Sequence, residues 1–287
     1  MSLKHRLLAG AYQPLRLSNA LLRQVGIHKE GRLRVLLYHD IAPSDEESFA
    51  AQLRWLSRSW RFITPGEFTS MIEGDEPVTE DSLLLSFDDG FASNRRVAEH
   101  ILKPMGIKAV FFVVSEFIAL SDSADWRSFV AQNILPEIQS EDVASHLRNM
   151  SWDDLTYLLD AGHVIGAHTA NHARLSEIET ADLTEEIISS ADVLAQKLGT
   201  QIEHFAYTFG DLASFSPEAL AIARSRFRFV YTGLRGTNAN GVPSWSIRRD
   251  AMTASDSHSL VGALLEGGAD RIYKENLATY KSWGGEK

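Results

Sequence analysis

The sequence predicts an α/β fold: a distorted (β/α) barrel of about seven parallel strands in a single domain. Three observations predict it. From Arg34 onward, short runs rich in Val, Ile, Leu and Phe alternate with longer stretches of helical periodicity. Each run gives way to a polar segment. Asp and His cluster just after three of the runs, at the C-terminal strand ends where parallel barrels build their sites.

In chain order the predicted strands are Val35–Tyr38, Leu83–Phe87, Ala109–Val114, Val164–Ala167, Phe205–Phe209, Phe227–Tyr231 and Trp245–Arg248. The predicted helices are Ser48–Trp60, with Phe49, Leu53 and Leu56 at helical spacing, then Ser93–Leu102 and Trp152–Ala161. Ser151 reads as the cap of the last of these, with Asp154 three residues on. Thr184–Leu198 carries an apolar stripe, and Pro217–Arg224 opens on Ser216 and a first-turn Pro. Residues 115–150 are irregular and read as an insertion, either a wall of the site or decoration.

Residues 1–33 form a basic, amphipathic arm preceding the domain at 34–287. Leu3, Leu7, Leu8, Leu15, Leu17, Leu21, Leu22 and Val25 alternate with Lys and Arg. Pro14 and Gly26 interrupt the pattern, which favours a capping helix packed on the domain. The other reading is an interfacial segment facing anionic lipid.

Over residues 1–34, Lys4, Arg6, Arg16, Arg23, Lys29, Arg32 and Arg34 stand against Glu30 alone, a net charge of +6; the rest of the 287-residue chain carries −16. So acidic a body argues against a nucleic-acid partner. Without cysteine there is no disulfide and no thiolate metal site, so any metal must be held by His, Asp or Glu. No apolar stretch is long enough to span a bilayer and no signal peptide is evident, so the expected location is cytoplasmic or peripheral to a membrane. Oligomeric state is not legible.

Tyr38-His39-Asp40, Asp88-Asp89-Gly90 and His168-Thr169-Ala170-Asn171-His172 are the three polar clusters. Asp88-Asp89-Gly90 alone could be an ordinary acidic turn. Emerging from apolar Phe87, though, two carboxylates call for a cation or partner. His168 and His172 stand four apart, which on a helical turn puts both imidazoles on one face and suits a divalent metal. The other reading is two unrelated surface histidines. Two His and one carboxylate with open positions make a hydrolytic metal site. No His-Glu-x-x-His is present.

These motifs resemble the polysaccharide deacetylase family, the carbohydrate esterase group of chitin, peptidoglycan and poly-N-acetylglucosamine deacetylases. Ser86-Phe87-Asp88-Asp89-Gly90 matches its first motif, His168-Thr169-Ala170-Asn171-His172 its second, and Val35 to Asp40 and Met150 to His168 are similar in kind. The resemblance covers residues 34 to about 265. It implies a distorted barrel and hydrolysis of an N-acetyl group on a glycan substrate. It implies Asp89, His168 and His172 as ligands of a divalent metal, Zn first, with Co, Ni or Mn compatible. It implies Asp88 as the catalytic base and the Phe209 N–H as oxyanion donor, with Thr208 where the family commonly has Pro. No late Leu-x-His segment matches, and His258 reads as a helix start. His39 is therefore the candidate general acid, as in permuted members; otherwise it is a buried strand-end histidine. The usual Arg beside the base is missing before Phe205, where His204 stands. Arg248 or Arg249 is expected to fill the gap, Arg249 being the residue chosen. Trp245, Trp126 and Tyr207 are candidates for a sugar-facing surface, while Trp55 and Trp152 read as core. O-acetyl ester or other amide hydrolysis, and a non-catalytic glycan-binding module, are the alternatives on this scaffold.

Overall fold

The computed structural model describes residues 3–27, 30–120, 125–238 and 241–285; Lys29, counted above into the basic arm, lies outside them. The apolar runs become the strands of one sheet: β1 (Leu33–Tyr38), β2 (Arg61–Phe62), β3 (Ser82–Phe87), β4 (Ala109–Val113), β5 (Val164–Ala167), β6 (His204–Ala206), β7 (Phe229–Tyr231) and β8 (Asp250–Ala251). Their order is β7-β6-β5-β4-β3-β1-β8, with β2 paired to the start of β3, and every strand pairing is parallel. β1, β3 and β4 are buried along their whole length, which is why they read as continuous apolar runs.

The sheet curls on itself. Tyr231 of β7 bridges to Ile247, while Asp250 and Ala251 pair with Leu36 and Leu37 of β1. Residues 247–251 thus touch both edges of the curl and close the distorted barrel. Strand alternation then sorts the side chains. Leu36, Leu83, Leu85, Ala109 and Phe111 pack towards the helices. Val35, Leu84, Val110, Phe112, Ala206, Tyr231 and Ile247 form a second cluster that fills the barrel, joined by Phe68 and Met71 of the helix Pro65–Glu73.

Two strand expectations are corrected. Trp245–Arg248 is not a continuous strand: the chain turns there, the Ser246 N–H donating to Pro243 O at 2.8 Å, Ile247 alone pairs, as the isolated bridge to Tyr231, and the next ladder starts at Asp250. β6 stops at Ala206, because Phe209 has φ 61°, which no strand accommodates. β2, at two residues, is too short for periodicity to show.

The helices fall close to expectation: Glu46–Leu56, Ala92–Val97 running into a π turn at Ala98–Leu102, Trp152–Asp160 and Pro217–Arg226. The Ser151 hydroxyl accepts from the Asp154 N–H and the Asp154 carboxylate from the Ser151 N–H, a reciprocal cap. The long helix is Thr180–Thr184 and Ser190–Leu198 around a π turn at Glu185–Ser189. Pro65–Glu73 and Lys274–Trp283 were not predicted.

The described part of 115–150 folds into short helical turns over its own apolar cluster of Phe91, Phe117, Val130, Ile134 and Val143. The arm forms two helices, Leu3–Gly10 and Tyr12–Gln24, laid against His258–Leu265. Pro14 sits in the first turn of the second helix, where no N–H is missed, and Gly26 (φ 75°) follows its end. Among the described residues no helix is long and apolar enough to cross a membrane.

Candidate active site

Asp88 and Asp89 leave the end of β3. The Asp88 N–H still follows the ladder, donating to Tyr38 O at 2.9 Å; Asp89 then breaks from it with φ 75°, followed by Gly90 at 93°. Both carboxylates are buried. The His168–His172 segment leaves β5, two residues after Gly166, where a Cβ would lie 2.5 Å from the Phe112 ring. It is not the helical turn the spacing suggested. Thr169 (φ 65°) and His172 (φ 60°) are left-handed, and this tight loop, not a helix face, brings the two rings together at 5.3 Å between centroids.

Both tautomers are set by carbonyls. His168 Nδ1 lies 2.8 Å from Ala206 O and His172 Nδ1 2.8 Å from Asn133 O. A carbonyl only accepts, so each Nδ1 carries a proton and each neutral ring keeps a lone pair on Nε2. Those two Nε2 atoms lie 3.5 and 3.4 Å from Asp89 Oδ1, which has no hydrogen-bond partner among the described residues. One ligand atom from each residue fits within 4.8 Å of the others. Three buried acceptors converging on one point suit a shared cation, a proton or a metal, and a carboxylate with two imidazoles is a donor set for a divalent transition metal. Burial alone would raise the Asp89 carboxyl, yet without a metal a hydrogen bond from each ring, once its Nε2 takes a proton, holds it well below the usual carboxylate range. Burial would likewise lower His172, and Asp89 instead draws it upward: a proton competes for the place a metal would take.

Asp88 stands beside this triad, its Oδ2 3.7 Å from His168 Nε2. Arg249, fully buried, donates from Nη1 to Asp88 Oδ1 at 2.6 Å and from Nε to Thr232 O at 3.0 Å. Of the two candidates it is the arginine that lies beside Asp88. His204 instead stacks on Phe229 and bonds to the Tyr231 hydroxyl, its ring pushed down to about 3 by burial. Arg248 turns to Thr237 O.

Phe209 is 40% exposed, its ring 4.7 Å from that of His172 and covered by the Arg174 guanidinium. The Gly210 N–H donates back to Thr208 O at 2.7 Å, a three-residue turn centred on Phe209, whose own N–H meets no acceptor among the described residues. The Thr208 hydroxyl donates to Ala173 O at 2.6 Å, tying the loop after β6 to the loop of His172.

His39 is exposed, not buried. It lines a cleft of about 350 Å³ with Asp40, Asp89, Phe91, Ile134, Leu135, Leu147, His172 and Phe209. The insertion thus builds a wall. It also supplies the Asn133 carbonyl, and His146, whose Nε2 is 3.3 Å from Asp40 Oδ2.

Glu186 also belongs to the site, with no motif in the sequence to mark it. This buried carboxylate, inside the π turn of the long helix, accepts from the N–H groups of Ala170 and Asn171 and from the Asn171 amide at 2.8–3.1 Å, fixing the loop that carries both histidines. The mid-helix π turn was a signal only the structure could give. Glu186→Gln is expected to weaken metal binding about 10-fold with the fold intact, as loss of outer support for ligands does; titration calorimetry with Zn²⁺ checks it, and unchanged affinity would leave Glu186 a purely structural residue.

The aromatic candidates for a sugar surface do not reach the cleft. Tyr207 stacks on Phe215 at 4.0 Å in the core, Trp245 packs against Tyr280 and Gly284, and Trp126 belongs to the insertion's own cluster. Trp55 and Trp152 pack on the core as expected, and His258 begins a helix, stacked on Trp55.

A barrel with these motifs at its C-terminal face defines a class. Residues 75–226 match the family model described as polysaccharide deacetylase, and the chain belongs to that family. It is 23% identical over 245 residues to YxkH of Bacillus subtilis (strain 168), named for the same family, covering 83% of this chain and 77% of that one. Among solved structures it is similar to IcaB from Ammonifex degensii (25% identity, TM-score 0.66, 83% of this chain and 98% of that one). It shares its fold with the Streptococcus pyogenes deacetylase PplD, solved in complex with acetate (20% identity, TM-score 0.64, 81% and 97%).

Proposed function

We propose that this chain is a metal-dependent hydrolase that removes N-acetyl groups from a polysaccharide, an oligosaccharide or a glycan precursor. The observation that carries the proposal is the convergence of Asp89, His168 and His172, with both Nδ1 atoms pinned to carbonyls, directly beside an Asp88 held by a buried Arg249. Asp89, His168 and His172 would hold the divalent metal, which when bound polarises the acetyl carbonyl and acidifies a water. Asp88 takes the proton of the attacking water, with Arg249 fixing one of its oxygens and leaving the other towards the site. The Phe209 N–H, with no acceptor among the described residues, donates to the oxygen that gains charge as the carbonyl becomes tetrahedral. His39, at the rim of the cleft, hands a proton to the departing amine as the C–N bond breaks and acetate forms.

An O-acetyl ester would pass through the same groups, so the product decides. N-acetylglucosamine oligomers and O-acetylated glycans are incubated with enzyme, with and without chelator, and acetate and primary amine are both measured. Chelator-sensitive release of equal amounts of acetate and amine is expected. Acetate without amine would overturn the N-acetyl reading in favour of the ester one, and binding without any product would make the chain a glycan-binding module.

A further inference from the structure

The arm covering residues 3–27 is not used by the chemistry above, and its outer face is unusual. Among the described residues nine large apolar side chains are exposed, and six of them, Leu3, Leu7, Leu17, Leu21, Val25 and Ile27, lie here, 59–73% accessible. Leu3 and Leu7 are four apart on the first helix. Leu17, Leu21 and Val25 repeat at four along the second, so each helix carries one outward row. The rows are not frayed ends. On the opposite side Leu8 and Ala9 pack on the core, the Tyr12 ring lies edge-on to Trp55 at 5.9 Å and against Gly262, Asn19 bonds to Glu266, and Arg23 pairs with Asp81. The helices are thus held on the barrel by one face and present the other.

Charge tells what the outward face suits. Residues 3–27 contain no Asp or Glu, although the chain has 38. Lys4, Arg6 and Arg16 are exposed and enter no ion pair among the described residues. A second copy docking by twofold symmetry would set these cations against their own kind. An acidic protein partner would match the cations but not two rows of bare leucine. Apolar rows rimmed by unpaired cations match the boundary between anionic headgroups and acyl chains.

We propose that the outer face of residues 3–27 binds an anionic membrane surface, lying in the interface without crossing it. Flotation of the full chain with phosphatidylglycerol-containing and pure phosphatidylcholine vesicles tests this. Expected is at least 10-fold stronger binding to the anionic vesicles, weakened by high salt and reduced at least 10-fold in a Leu17→Ser/Leu21→Ser variant whose thermal midpoint is unchanged. Equal binding to both vesicle types, or variant binding equal to wild type, overturns the proposal. So does a lipid-free dimer, seen by light scattering, that the same two substitutions dissociate, because a second copy would then be the occupant. None of these readouts depends on what the active site hydrolyses.

Discussion

Asp88→Asn is expected to leave the metal in place and lower kcat by about 10²- to 10⁴-fold, the range a positioned general base contributes. The metal is expected to stay because the three converging ligand atoms belong to Asp89, His168 and His172, and Asp88 is their neighbour. The fold is expected to stay because asparagine has the same shape and its amide oxygen can still accept from Arg249 Nη1. What is lost is a carboxylate able to take a proton. The split between retained metal, read by elemental analysis, and lost turnover, read by acetate release, separates this role from a ligand role. Activity within about tenfold of wild type, against that range, would remove Asp88 from the mechanism.

His168→Ala is expected to have the opposite signature: loss of bound metal together with activity. It deletes one of the two imidazoles proposed as ligands and frees Ala206 O, to which the ring is pinned. A two-ligand remnant would not hold a transition metal against a chelator. Because a ligand bound only by the folded state stabilises it, adding Zn²⁺ should raise the thermal midpoint of wild type but not of the variant. Stoichiometric metal in the variant would overturn the ligand assignment.

The long buried strands were legible because a strand covered on both faces must be apolar at every position, as β1, β3 and β4 are. The barrel's closing segment was not. Residues 245–248 alternate like a strand, but pairing on both sides depends on how the sheet curls, a property of the whole chain. The histidine pair was found by its spacing, although the loop that joins the rings is set by two left-handed residues that spacing cannot reveal. The Arg beside Asp88 was narrowed to two neighbours, and the fold chose Arg249, the one that faces the barrel interior over Phe112. Glu186 was invisible for a plain reason: beside Glu185 it looks like part of a solvated face, and what buries it is a tertiary contact with the loop of Ala170 and Asn171. The sugar-facing aromatics were misjudged because a large ring is worth most in a core, which is where Tyr207 went.

The four non-glycine residues with left-handed backbones among those described are Asp89, Thr169, His172 and Phe209, and all of them line or brace the site. Each such conformation costs about 1–2 kcal/mol relative to an ordinary one, and the β-branched Thr169 is the least suited to it. Glycine would relax every one of these positions, so a selection for heat resistance alone would dismantle the site residue by residue while improving the protein. The margin that tolerates them has to come from elsewhere in the chain, from the barrel-filling cluster and the helices packed around it. Thermostable variants of this protein are therefore to be sought in that distant packing, and any stabilising substitution found at these four positions is expected to trade activity for its gain.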